Sequence, residues 1–358
     1  MTSSISNSEQ CNRCAGVMYA QPAVASGGLW LPPGGDEVIN RPWRDPTLWS
    51  LLFVAVAVVG FGLMRTDNRF AGAPKWYWME KLVWPGTADL VVVGDSRVYR
   101  GVDPAAFSTL GTTRNFGFSS VKLTEDYWDR AAAILDPDGR RIILVGVSLF
   151  AIPGRSDAQE GFQDAKRELS RLRLPLGIAR VVSEWELALE PLALDARTPC
   201  ATAEGSPAPQ AGRALASEYQ QTFHPDGWVE SDRVVPDPVA LGMATVRQAF
   251  PPGFDRKADL GGLLASMRRL VDDGVYVCAF RPPVPPEIAA LEDSLGYLDY
   301  AEFAKSCESI GVRWIDVDQA GLRSYDGSHL DGVSARVLSQ RLAHAVADAC
   351  GRVRTPTP

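Results

Sequence analysis

Residues 89–94 read DLVVVG, with four consecutive apolar positions and no polar alternation. A strand with one face in water alternates. An unbroken run is buried on both faces, as in the middle of a parallel sheet. Residues 141–147 (RIILVGV) and 275–280 (VYVCAF) have the same character, and 114–118 and 312–317 add shorter strands. Helical periods fall between them, over 124–135, 258–271, most of 286–309, and 333–350. Thr124 is the expected N-cap of the first. Val333, Val337, Leu338, Leu342 and Val346 are the expected inner face of the last. Strands alternating with helices predict an α/β fold, a parallel sheet of about five strands covered on both faces in three layers. Residues 151–253 break the alternation and read as an insertion between the third strand and the next crossover helix.

The N-terminal part reads differently. Residues 1–47 are rich in Ser, Gly, Pro, Ala and Asn without a hydrophobic period, which predicts a disordered tail. Residues 48–64 (LWSLLFVAVAVVGFGLM) carry no charge. As a helix they rise about 25 Å, the short end of a bilayer span, and they predict a single transmembrane anchor. Residues 65–88 are then a juxtamembrane linker. Trp43 and Trp49 before the anchor, and Trp76, Tyr77 and Trp78 after it, are expected at the membrane interfaces. Arg41 and Arg44 precede the anchor, whereas Arg65, Arg69, Lys75 and Lys81 come after it. Those charges alone would leave the large domain, 89–352, in the cytoplasm; the chemistry of its strand ends argues for the other side.

The formal net charge of -7 opposes a nucleic-acid partner, which demands a basic face. Only three histidines exist, His224, His329 and His344, so a multi-histidine metal site is not expected. Cys11 and Cys14 form a lone C-x-x-C with no second pair to complete a zinc site. Cys307 and Cys350 each close a predicted helix and are candidates for a disulfide in an extracytoplasmic domain.

Ligands of open parallel sheets bind at the carboxyl ends of the strands. The residues at those ends are therefore informative: Gly94-Asp95-Ser96 after the first strand, Asn115-Phe116-Gly117 at the second, Gly146-Val147-Ser148 after the third, and Asp326-Gly327-Ser328-His329 after the fifth. A serine hydroxyl needs a base, and the base needs a carboxylate to hold its tautomer. Ser96, His329 and Asp326 are the candidate catalytic residues. The backbone N–H groups of Ser96 and Gly117 are candidate oxyanion donors, Gly117 because an acyl group could approach its amide closely. This chemistry calls for no metal and no organic cofactor.

VVVGDS, with DGSHL much later in the chain, resembles the SGNH (GDSL) hydrolase superfamily over about 89–350. The resemblance implies a flavodoxin-like SGNH fold and a serine esterase or acyltransferase. The family's third block usually carries an asparagine in G-x-N-D; here Gly146-Val147-Ser148-Leu149 stands in that place, and Ser148 is the candidate replacement donor. Arg97 and Arg100, Asn115, and Arg281 at the head of RPPVPP are candidate substrate-binding residues on the same rim. An N-terminal anchor ahead of such a domain is similar to proteins that acylate cell-envelope polymers, of the alginate O-acetylation and D-alanyl transfer types. That layout implies an acyl ester of an envelope glycan as substrate, a polytopic membrane acyl donor as partner, and a domain outside the cytoplasmic membrane. The absent asparagine supports the alternative of a non-catalytic, glycan-binding scaffold.

Overall fold

In the computed structural model, residues 74–152, 160–173, 176, 221–231, 235–251 and 259–351 are described, with 47, 49, 50 and 52–54. The apolar runs form the centre of one parallel sheet. Its strands are β1 (Leu90–Val93), β2 (Thr113–Asn115), β3 (Ile142–Gly146), β6 (Tyr276–Phe280) and β7 (Arg313–Ile315), in the order β2-β1-β3-β6-β7. Every pairing is parallel; Val92 lies opposite Asn115 on one side and Leu144 on the other. From β1 the chain winds to β2 on one side and then to β3 on the other. That reversal opens a crevice at the carboxyl ends of β1 and β3.

Alternate residues of each strand enter two different cores. Val91, Val93, Ile143, Val145 and Val277 pack beneath α3 (Glu125–Ala132), α6 (Leu260–Asp272), α7 (Pro286–Ser294) and α8 (Tyr300–Ser309). Leu90, Val92, Ile142, Leu144 and Phe280 pack beneath α2 (Ser96–Gly101) and α9 (Gly332–Gly351). Each of these side chains is almost fully buried, stabilising the fold by about 1.5–3 kcal/mol apiece. The expected helix over 286–309 is two helices. The inner face of α9 is Ala335, Leu338, Leu342 and Val346, while Val333, expected inside, is 61% exposed. Thr124 stands at the start of α3 but makes no side-chain cap. Cys307 is a free thiol in one core and Cys350 borders the other, so the two lie on opposite faces of the sheet and form no disulfide.

The expected linker is corrected over its second half. Residues 74–81 form α1 (Pro74–Lys81), whose Trp76, Tyr77 and Met79 are buried against Tyr99, Phe223 and Val229. Its aromatics are therefore core residues, not interfacial anchors. Lys81 is fully buried. Its ammonium donates to the carbonyls of Gly117 (2.8 Å) and Gly227 (2.9 Å) and lies over the Tyr77 and Trp78 rings. Burial pushes its pKa well below the ordinary lysine value.

The insertion contributes α4 (Gly161–Arg171), a hairpin of β4 (Gln221–Phe223) and β5 (Val229–Ser231), and α5 (Pro238–Ala249). Residues 1–46 and 65–73, with the Cys11–Cys14 pair, lie outside the described residues. So does most of 48–64, of which 49, 50 and 52–54 are helical. Among the described residues, no helix is long and apolar enough to cross a membrane.

Candidate active site

Strand β1 is followed by Gly94, whose φ of 149° turns the chain sharply into α2. A side chain there would strike Val98, since a Cβ would sit 2.3 Å from its Cγ2. Asp95 is the N-cap: its Oδ1 accepts from the Arg97 N–H at 3.0 Å. Its Oδ2 accepts from the Ser148 hydroxyl. Asp95 thus ties the end of β1 to the end of β3 and leaves Ser96 as the first residue of a helix. An N–H at that position has no partner within its helix, and that of Ser96 has no acceptor among the described residues.

The second half of the site comes from the loop before α9. Asp326 Oδ1 accepts from the N–H groups of Ser328 (2.9 Å) and His329 (2.8 Å), folding the loop around its own carboxylate. Gly327 makes the turn with φ 82°, and a Cβ there would lie 2.0 Å from the Pro238 carbonyl of α5. The insertion therefore seats directly on this turn. Asp326 Oδ2 lies 2.7 Å from His329 Nδ1, and His329 Nε2 lies 2.8 Å from Ser96 Oγ. With Nδ1–H donating to the carboxylate, Nε2 is left to accept the serine proton.

Burial lowers the pKa of His329, and the charges of Arg100 and Arg97 lower it further; Asp326 works in the opposite direction without cancelling them. Burial pushes the Asp326 carboxyl up, but hydrogen bonds and the charge of His329 outweigh it and hold the group below the ordinary aspartate value. At neutral pH the pair is a carboxylate and a neutral imidazole. The Tyr325 ring stacks on His329 with centroids 5.8 Å apart, and Arg100 Nη1 donates to the Tyr325 hydroxyl at 2.6 Å.

The remaining candidates are placed differently from their expected roles. The N–H of Gly117 donates to Asn115 Oδ1 at 3.0 Å, and a Cβ at Gly117 would lie 2.9 Å from Tyr99. Its small size thus serves packing against α2, not approach of an acyl group. Asn115 is fully buried and also donates to the Val98 and Val102 carbonyls, which makes it a brace between β2 and α2 and removes it from substrate. Ser148 is fully buried, and its hydroxyl is spent on Asp95. Arg97 is 4% exposed and Arg281 contacts Asp293 (2.9 Å) and Glu292 (3.5 Å) beneath the Tyr300 ring. Both guanidiniums are committed to protein carboxylates. Of the four candidate substrate-binding residues, Arg100 reaches the His329 loop through Tyr325, and Arg97 touches it through Ser328 while its guanidinium is held by Glu292.

Three contributors were not singled out from the sequence. Tyr127 accepts from the Gly94 N–H (3.1 Å) and donates to the Phe116 carbonyl (2.7 Å), fastening the turn before Ser96 to the β2 loop. Tyr325 supplies the stacked ring. Glu292 receives Arg97; its signal in the sequence is a carboxylate four residues after the buried Ile288, on the inner face of a helix. Among the described residues, no group of three His, Cys, Asp or Glu could hold a metal ion. Comparison of the chain with protein-family models gives no match, and comparison with curated proteins gives none either.

Proposed function

We propose that this protein is a serine-dependent esterase or O-acyltransferase of the SGNH type, with Ser96 as nucleophile, His329 as base and Asp326 as its orienting carboxylate. One observation carries the reading: the unbroken chain Ser96 Oγ, His329 Nε2, His329 Nδ1, Asp326 Oδ2, with steps of 2.8 and 2.7 Å at the carboxyl end of β1. Ser96 Oγ attacks an acyl carbonyl while His329 Nε2 takes the hydroxyl proton. The tetrahedral intermediate collapses, and the imidazolium returns that proton to the departing alcohol. Water or a sugar hydroxyl then gives its proton to His329 and attacks the acyl-enzyme; Ser96 leaves and recovers the proton. The Ser96 N–H is the oxyanion donor. The substrate class is an acyl ester of a cell-envelope glycan, with residues 48–64 in the bilayer, the domain outside the cytoplasmic membrane, and a polytopic protein as acyl donor. These assignments rest on the resemblance of the motifs and on the anchor-like segment.

A second reading, a non-catalytic glycan-binding scaffold, is favoured by the occupied Gly117 N–H and Ser148 hydroxyl. Loss of a single oxyanion donor costs about 10²–10³ in rate. Incubation of the full-length chain with an aryl acetate, then intact-mass and peptide mapping, separates the two. An acetyl adduct on Ser96 that is discharged by water or added oligosaccharide supports the enzyme; glycan binding without any adduct supports the scaffold. An alkaline phosphatase reporter fused at the C-terminus of the full chain tests topology: an inactive reporter on a stably expressed chain contradicts the exterior placement.

A further inference from the structure

Arg97 is next to the nucleophile in the chain, yet its side chain turns inward. Its Nη1 and Nη2 donate to both carboxylate oxygens of Glu292, at 3.3 and 2.5 Å, and the two side chains are 3% and 0% exposed. Its Nε donates to Ser328 Oγ at 3.3 Å, and its guanidinium lies over the Phe150 ring. Arg281 Nη2 lies 3.5 Å from Glu292 Oε2, the oxygen that also accepts from Arg97 Nη1. One guanidinium thus contacts the segment that holds His329 while standing in the helix that begins with Ser96. A buried ion pair is a poor device for stability, because well-packed apolar residues of the same volume are often as good or better. Its geometry is where it differs. A planar, bidentate fork fixes direction in a way that an apolar contact does not.

We propose that Arg97, held by Glu292, is a positioning residue that sets the Asp326–His329 loop in register with the nucleophile helix. The inference rests on Ser96 and His329 being the reacting pair. The charges facing His329 are Asp326 from its own loop and Arg97 and Arg100 from α2; the Tyr325 ring and the Ser96 hydroxyl complete its surroundings. Removing Arg97 therefore has two consequences. The loop loses one of its two ties to α2, keeping the one from Arg100 to Tyr325, and the imidazole loses one cation that opposes its protonation.

The test is the rate of fluorophosphonate labelling at Ser96 against pH in the full-length chain. Three variants are compared: Arg97→Met with Glu292→Leu, which removes the pair without leaving one charge buried, Ser328→Ala, and Ser328→Thr. The double variant should label up to about 10²-fold more slowly at its plateau, the scale of a small misplacement of catalytic groups. Its pH midpoint should move up towards the ordinary histidine value. Ser328→Ala should slow labelling several-fold, and Ser328→Thr, which keeps the hydroxyl, should restore it. A folded double variant with the wild-type rate and midpoint would overturn the proposal. Should the double variant fail to fold, a wild-type rate in Ser328→Ala would overturn it equally. Absence of labelling in the wild type would instead remove the reading of Ser96 as nucleophile, and with it the basis of this inference.

Discussion

Two loops in this protein carry nearly the same inventory. One is YDGSHL around His329; the other is FHPDGW around His224. Each histidine stacks on an aromatic ring: His329 on Tyr325 at 5.8 Å, and His224 on Trp228 at 4.6 Å. Each has a carboxylate nearby. The difference lies in what the second ring nitrogen and the carboxylate are doing. Asp326 is bonded to His329 at 2.7 Å and is directed by two backbone N–H groups. Glu230 is 3.4 Å from His224, beyond ordinary hydrogen-bond length, and its other oxygen is taken by Arg336 at 2.6 Å. His329 then reaches a serine hydroxyl. His224 closes a hairpin turn, its N–H donating to the Trp228 carbonyl and its own carbonyl accepting from Gly227. Histidine, carboxylate and aromatic ring are common to both loops; what sets His329 apart is a hydroxyl at 2.8 Å on its far nitrogen.

Substitutions in the two loops should have very different consequences. Ser96→Ala should abolish fluorophosphonate labelling of the chain, as read by intact mass. His329→Ala should slow it by at least about 10³-fold, since removing the base alone costs nearly as much as removing a whole triad. Asp326→Asn should cost roughly 10²–10⁴, because an amide favours the wrong imidazole tautomer. The pH profile sharpens the contrast further. Labelling needs neutral His329, so the rate falls as pH drops through its pKa. Because burial and the two arginines depress that pKa, the fall should come below the ordinary histidine value of 6.5. A midpoint above 6.5 would contradict this charge arrangement. His224→Gln, the smallest effect, should leave rate and midpoint within about twofold of wild type. A large loss there would erase the distinction between the two loops.

The sheet was legible because buried parallel strands have an unmistakable composition: LVVV, IILVG and YVCAF each read as continuous apolar runs. The residues that meet at Ser96 were legible because each comes just after a strand or just before the last helix, and the topology carries those points to one rim. What failed were inferences about what a side chain touches. The aromatics of α1 suit a membrane interface and a protein core equally well, since both reward a large apolar ring with a polar edge. Arg97 and Arg281 sit on the expected rim, but their partner Glu292 is 195 residues beyond Arg97, and no local pattern announces the pairing. Gly117 and Ser148 stand where oxyanion donors were sought. The sequence could not disclose that Asn115 and Asp95 already occupy them.

The proposed chemistry depends first on activation of Ser96 by His329. Reaction of the purified full-length chain with a fluorophosphonate, mapped to the modified peptide, tests it most directly. The expected result is stoichiometric modification of Ser96 that disappears in Ser96→Ala and all but disappears in His329→Ala. A folded wild-type chain that stays unmodified, or one modified equally well without His329, would contradict it.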